Sequence, residues 1–361
     1  MVSEAKIPAL RDDSVFFRKS GFFKLYLFLI VILVHSLNFE AYGLADSTTF
    51  GGKLLYFLEM VELYVTGLTM PGYFFISGYG FMANYSLDKT LSKWKKRVRT
   101  LFIPWLLWNS IMWLAGIAME SIPAIASKLN SGFGYELSLR SWLIDGLIHT
   151  ADGTMWFISN LMVITLLCPL IYILIRNKYL GRVAIAAGFV AVHLTQAHRY
   201  SVLVAALFFS QAGYYAIHFP QLVQRSYGKK ARIIAWGLLL VYMLTGSNSV
   251  VQNTGLPHVI SFSYAVPAMW IAVGDVGLSK REKVVDEYRF WLFASHYMPL
   301  ECVEKLWYVI GGVSVTTAWI GMIMCPTVTV LILIGAGYLV KRYCYPLWCV
   351  LNGKQIKQRR T

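Results

Sequence analysis

The chain has 361 residues, 57% of them hydrophobic and 14% charged, with a formal net charge of +15. Soluble domains carry about 25% charged residues, so this composition and a mean hydropathy of +0.55 exclude an ordinary water-soluble fold and a disordered chain alike. The positive excess sits between apolar runs, where it reads as membrane topology rather than as a nucleic-acid surface.

Apolar runs long enough to cross a bilayer fall near residues 22–40, 64–84, 101–120, 155–175, 182–198, 200–218, 231–247, 258–277, 289–309 and 318–340. They predict an all-α, polytopic membrane helix bundle of about ten transmembrane helices. It is a single domain over residues 1–361, with cytoplasmic tails of roughly 1–20 and 345–361. With both termini cytoplasmic, every Lys and Arg falls on the inner side except Lys53, Lys128, Arg140, Arg199 and Lys305. The positive-inside rule requires such a bias.

The first run carries a histidine, His35, with Lys24 eleven residues earlier. At 100° per residue the two share a helix face, about 16 Å apart along the axis. Ionisable groups inside a span are expensive and mark function or interhelical hydrogen bonds. Gly43-Leu44-Ala45 resembles a signal cleavage site, but the apolar part is long and holds His35, so the run reads as an uncleaved span.

The segment from Leu54 to Asn84 exceeds one crossing, and Pro71-Gly72 is placed to kink it. It contains Phe74-Phe75-Ile76-Ser77-Gly78-Tyr79. Ser77 is either a hydroxyl aimed at a substrate or a small residue at a helix contact. Six cations from Lys89 to Arg99, Arg97 among them, precede Leu101-Phe102-Ile103-Pro104-Trp105. They read as topology determinants or as a phosphate clamp. In the loop that follows, residues 137–147 predict a short interfacial helix.

The fourth run opens on Met155-Trp156-Phe157, and the ninth holds Ser295-His296-Tyr297-Met298-Pro299. Glu301 and Lys305 stand four apart, the spacing of a self-neutralised helix pair. The five cysteines show no paired motif, so neither a disulfide framework nor a metal site is expected.

These segments in this order resemble the acyltransferase 3 family of bacterial integral-membrane acyltransferases. The matching motifs are Lys24 with His35, Phe74 to Tyr79, the basic run into Pro104-Trp105, Trp156-Phe157 with Leu161 and Pro169, and Phe293 to Pro299. Lys24 stands where the family more often has arginine. The resemblance implies an O-acyltransferase of the bacterial cytoplasmic (inner) membrane, taking acetyl-CoA or another acyl-CoA as donor substrate, with no permanently bound cofactor. It implies as acceptor an envelope polysaccharide or lipid-linked glycan. His35 is then the general base or acyl carrier, since imidazole titrates near neutral pH. Lys24, Arg97 and Arg99 hold the CoA phosphates, and Ser77, Trp156 and His296 shape the substrate cavity. The alternative is a multi-span transporter or flippase, against which the absence of an internal repeat counts.

Overall fold

A computed structural model describes residues 14–37, 39, 42–44, 49–123, 134–195, 197, 201–246 and 256–355. Residues 1–13, Ala45, Lys128, Arg199 and residues 356–361 lie outside them. The described residues are helical, with no strand.

Each apolar run corresponds to a helix. These are α1 (Ser14–His35), α2 (Phe50–Met82), α4 (Ile103–Glu120), α6 (Trp156–Ile175), α7 (Lys178–Leu194), α8 (Val202–His218), α10 (Lys229–Gly246), α11 (Leu256–Ala272), the pair α13 (Arg289–Ser295) and α14 (Tyr297–Gly311), and α15 (Val315–Tyr343). Shorter helices α3 (Thr90–Arg97), α5 (Leu139–Ser141), α9 (Pro220–Gln224), α12 (Lys280–Glu287) and α16 (Tyr345–Leu351) connect them. Three segments among the described residues are long and apolar enough to cross a membrane by length and composition: Leu87–Glu120, Trp156–Ile175 and Val315–Tyr343.

Local chemistry sets the helix starts. Thr49, Asn177, Ser201 and Ser314 each accept a first-turn backbone N–H at the heads of α2, α7, α8 and α15, satisfying donors that a helix start leaves free. Ser279 and Glu282 form a reciprocal capping box on α12,. α2 continues through Pro71 as one helix of 33 residues. The expected interfacial helix is α5 continued by a π-helical turn, Trp142–Ile148.

The core centres on aromatic residues of α1, α2 and α8, with Phe28, Phe74, Phe75, Tyr79, Phe208 and Phe209 all buried. The tightest seam runs between α2 and α8, where a Cβ on Gly78 would come within 2.2 Å of the Phe209 carbonyl oxygen. Outward faces are apolar: Leu166, Leu170, Ile233, Ile234, Ile323 and Leu331 are each at least 60% exposed. So much exposed hydrocarbon suits contact with lipid.

The cations gather at one end of the bundle. Arg18 pairs with Asp275, which also accepts from Ser226. Lys341 pairs with Glu287, whose backbone carbonyl accepts from Lys354. Lys19, though buried, donates to the Trp270 carbonyl beneath the Trp270 ring.

Candidate active site

His35 is the last residue of α1, so it closes the helix where the sequence placed it inside a longer one. Its side chain opens into a cavity of about 260 Å³. Lys24 shares α1 but lies near its middle, because the helix begins ten residues earlier.

His296 comes to His35 from the other half of the chain. Their ring centroids are 5.5 Å apart, and the Tyr297 ring meets His35 edge-on at 5.3 Å. His296 is fully buried. Its Nδ1 lies 3.1 Å from the Leu292 carbonyl and 2.8 Å from the Phe293 carbonyl. Carbonyls only accept, so Nδ1 carries the hydrogen and Nε2 is left as a bare acceptor. That Nε2 has no partner.

The run expected at 289–309 is broken at this histidine into α13 and α14. Pro299 has no N–H to offer the Ser295 carbonyl, and His296 Nδ1 takes the Leu292 and Phe293 carbonyls at the end of α13. A helix interrupted inside a bundle is tolerated where it lines a cavity.

The rest of the cavity comes from four elements: Val31 and Val34 of α1, Thr66, Thr69 and Met70 of α2, Thr154 and Trp156 at the head of α6, and Phe293, Tyr297, Glu301 and Glu304 of the broken pair. Behind Thr154 lies Asp152, in a loop that also holds Thr150 at a φ of 53°. Asp152 Oδ1 accepts from the Thr154 N–H at 3.0 Å and from its hydroxyl at 2.7 Å. Asn109 Oδ1 accepts the Asp152 N–H at 3.1 Å. Burial pushes the Asp152 carboxyl up to about 6, against those bonds.

His35 and Trp156 thus line one cavity, with His296 packed directly behind it. Ser77 is not among the lining residues. It stands one turn from Phe74, which packs on Trp156 at 6.4 Å, and next to Gly78 in the α2–α8 seam. Lys24, Arg97 and Arg99 lie away from the cavity. Lys24 feels the charges of Arg289, Asp286 and Arg97, and its backbone carbonyl accepts from Tyr73. Tyr73 is linked to the cavity wall through Phe157 (5.5 Å) and Phe293 (6.0 Å). Arg97 is half-buried, 5.4 Å from the centroid of the Phe81 ring, whereas Arg99 is exposed. Residues two apart on a helix point to opposite sides.

Sequence reasoning missed the carboxyl groups. The expected Glu301–Lys305 ion pair is not present among the described residues. Glu301 instead lines the cavity beside Tyr297. Tyr297, Glu301 and Glu304 recur at i, i+4 and i+7, one face of α14, and that spacing was the available signal.

The sequence profile of an acyltransferase domain family, Acyl_transf_3, matches residues 22–337. No curated relative and no solved structure matches the chain.

Proposed function

Since the chain belongs to the acyltransferase domain family, we propose that it is a multi-pass membrane O-acyltransferase moving an acyl group, acetyl in the first place, from cytoplasmic acyl-CoA to a hydroxyl of an envelope glycan or lipid-linked sugar. In this reading the ten helices cross the membrane and both termini are cytoplasmic, in the bacterial inner membrane. The gathering of Arg18, Lys24, Arg97, Arg289, Lys341 and Lys354 toward one end supports that orientation.

The observation that carries the reading is His35. It opens into the cavity, at a helix C-terminus, with a second imidazole packed behind it. As base, His35 takes the proton of the acceptor hydroxyl while that oxygen attacks the thioester carbonyl. The C–S bond breaks, and the departing CoA sulfur receives the proton from the imidazolium. Such catalysis contributes about 10²–10⁴-fold. The His296 ring, packed 5.5 Å from His35, limits how the His35 ring can turn. Covalent carriage divides the same transfer in two: a His35 nitrogen displaces the CoA thiolate to leave an acyl-imidazole, and the acceptor hydroxyl then takes the acyl group while its proton passes to the thiolate.

The donor enters from the cationic end. Lys24, Arg97 and Arg289 surround the segment from which Tyr73, Phe157 and Phe293 lead to the cavity, and the guanidinium groups suit phosphate. Arg99, being exposed, is placed for the outer part of the CoA or for lipid headgroups. Trp156 forms the acceptor wall.

The test is transfer of labelled acetyl from acetyl-CoA to an envelope glycan extract by the protein in nanodiscs. Label in the glycan supports the reading. Movement of glycan across the bilayer without acetyl-CoA consumption would point to a transporter instead.

A further inference from the structure

The two carboxyl groups of α14 have no task in the transfer chemistry described above. Glu304 is 6% exposed, and its Oε1 has no hydrogen-bond partner. It lines the His35 cavity and also a narrower recess behind it, bounded by Ser36, Tyr42, Tyr308 and Cys325. A buried carboxyl oxygen left unpaired is costly, and a site built around one favours a ligand that supplies the missing donor. Glu301 stands one turn away on the same wall, beside Tyr297.

The wall composition is one-sided. Among the described residues lining the cavity there is no lysine and no arginine. Two carboxyls, the hydroxyls of Thr66, Thr69, Thr154 and Tyr297, and the ring of Trp156 face the space in front of His35. An acceptor ring bearing a carboxylate or phosphate would lose its water there without gaining a counter-ion. A ring bearing only hydroxyls, or an ammonium, gives Glu304 its donor and sits on an aromatic face.

We propose that Glu304, together with Glu301, is an acceptor-recognition element that admits a neutral or amine-bearing ring to the His35 cavity and excludes an acidic one. This rests on the reading of the cavity as the acceptor site, and it adds which acceptors fit.

Three probes of the same ring and different charge test it: methyl glucoside, methyl glucosaminide and methyl glucuronide. Equilibrium binding of each to the full-length protein in nanodiscs should favour the first two over the glucuronide by about tenfold or more. Glu304→Gln keeps the side-chain volume and should weaken binding of the two favoured probes by about tenfold. The double variant Glu301→Gln/Glu304→Gln should bring the three affinities together. Equal binding of all three by the wild type, absence of binding, or a preference for the glucuronide would overturn the proposal without recourse to any variant. A preference that survives the double substitution in folded protein would overturn it as well. Acetyl-CoA cleavage, measured separately, tells whether the acyl-transfer reading fails on its own: no cleavage with the binding preference intact would sink that reading and leave the charge selection standing.

Discussion

Replacing Asp152 by asparagine should make the protein more stable above pH 6 and leave it nearly unchanged near pH 4. The side chain is 3% exposed, and its Oδ2 has no partner. The two bonds from Thr154 lower its pKa, but burial outweighs them and carries it from the ordinary 3.8 to about 6. A carboxyl whose folded pKa lies above its unfolded one binds the proton more tightly in the folded state. Folding stability is therefore greatest below the unfolded pKa, falls as pH rises through the interval to about 6, and then levels off. At about 1.4 kcal/mol per unit, the two-unit displacement costs about 3 kcal/mol at neutral pH. Asparagine keeps an oxygen to accept from Thr154 and has no proton to lose. Thermal unfolding in detergent, followed by tryptophan fluorescence between pH 4 and 7.5, should show the variant gaining a few degrees on the wild type over that range. Parallel midpoints, or a wild type that gains on the variant as pH rises, would refute the reasoning.

Arg97→Ala should raise the KM for acetyl-CoA about tenfold, whereas Arg99→Ala should change it less than twofold; initial rates against donor concentration decide. His296→Ala should lower kcat by about tenfold or more with the donor KM held, as expected when a positioned base is loosened and not when a binding contact is lost. Gly78→Ala should destabilise by at least about 1–3 kcal/mol, because its methyl group meets a backbone carbonyl that cannot turn aside. Gly80→Ala is the control: there a Cβ finds the Phe16 ring at an ordinary 3.6 Å, and its unfolding midpoint should stay with the wild type.

The helix positions were legible because hydropathy alone marks where a chain leaves water, and each expected run coincides with a helix. The ends were less legible. α1 stops at His35, five residues before its apolar run does, and α2 begins at Phe50 because Thr49 caps it ahead of the apolar stretch. The break at His296 was hidden, since a run from 289 to 309 has continuous hydropathy. Only a Pro placed three residues after a histidine hinted that the helix was interrupted. His35 and Trp156 were found from motifs and line one cavity. Lys24 and Arg97 are neighbours for a reason that their separation in sequence does not reveal. Ser77 sits at a helix seam, where its small neighbour Gly78 matters more than its hydroxyl. Glu301 and Glu304 escaped because the i, i+4 pairing with Lys305 offered a local partner, while the fold turns Glu301 to Tyr297 and leaves Glu304 facing the cavity.

The central claim is that His35 performs the chemistry, and CoA thiol release from acetyl-CoA tests it most directly. Wild type and His35→Ala, both purified into nanodiscs and matched for unfolding midpoint, would be compared with envelope glycan extract present. The account predicts that the wild type releases CoA and that the variant loses about 10²–10⁴-fold of that rate. A folded His35→Ala protein that releases CoA at the wild-type rate would contradict it.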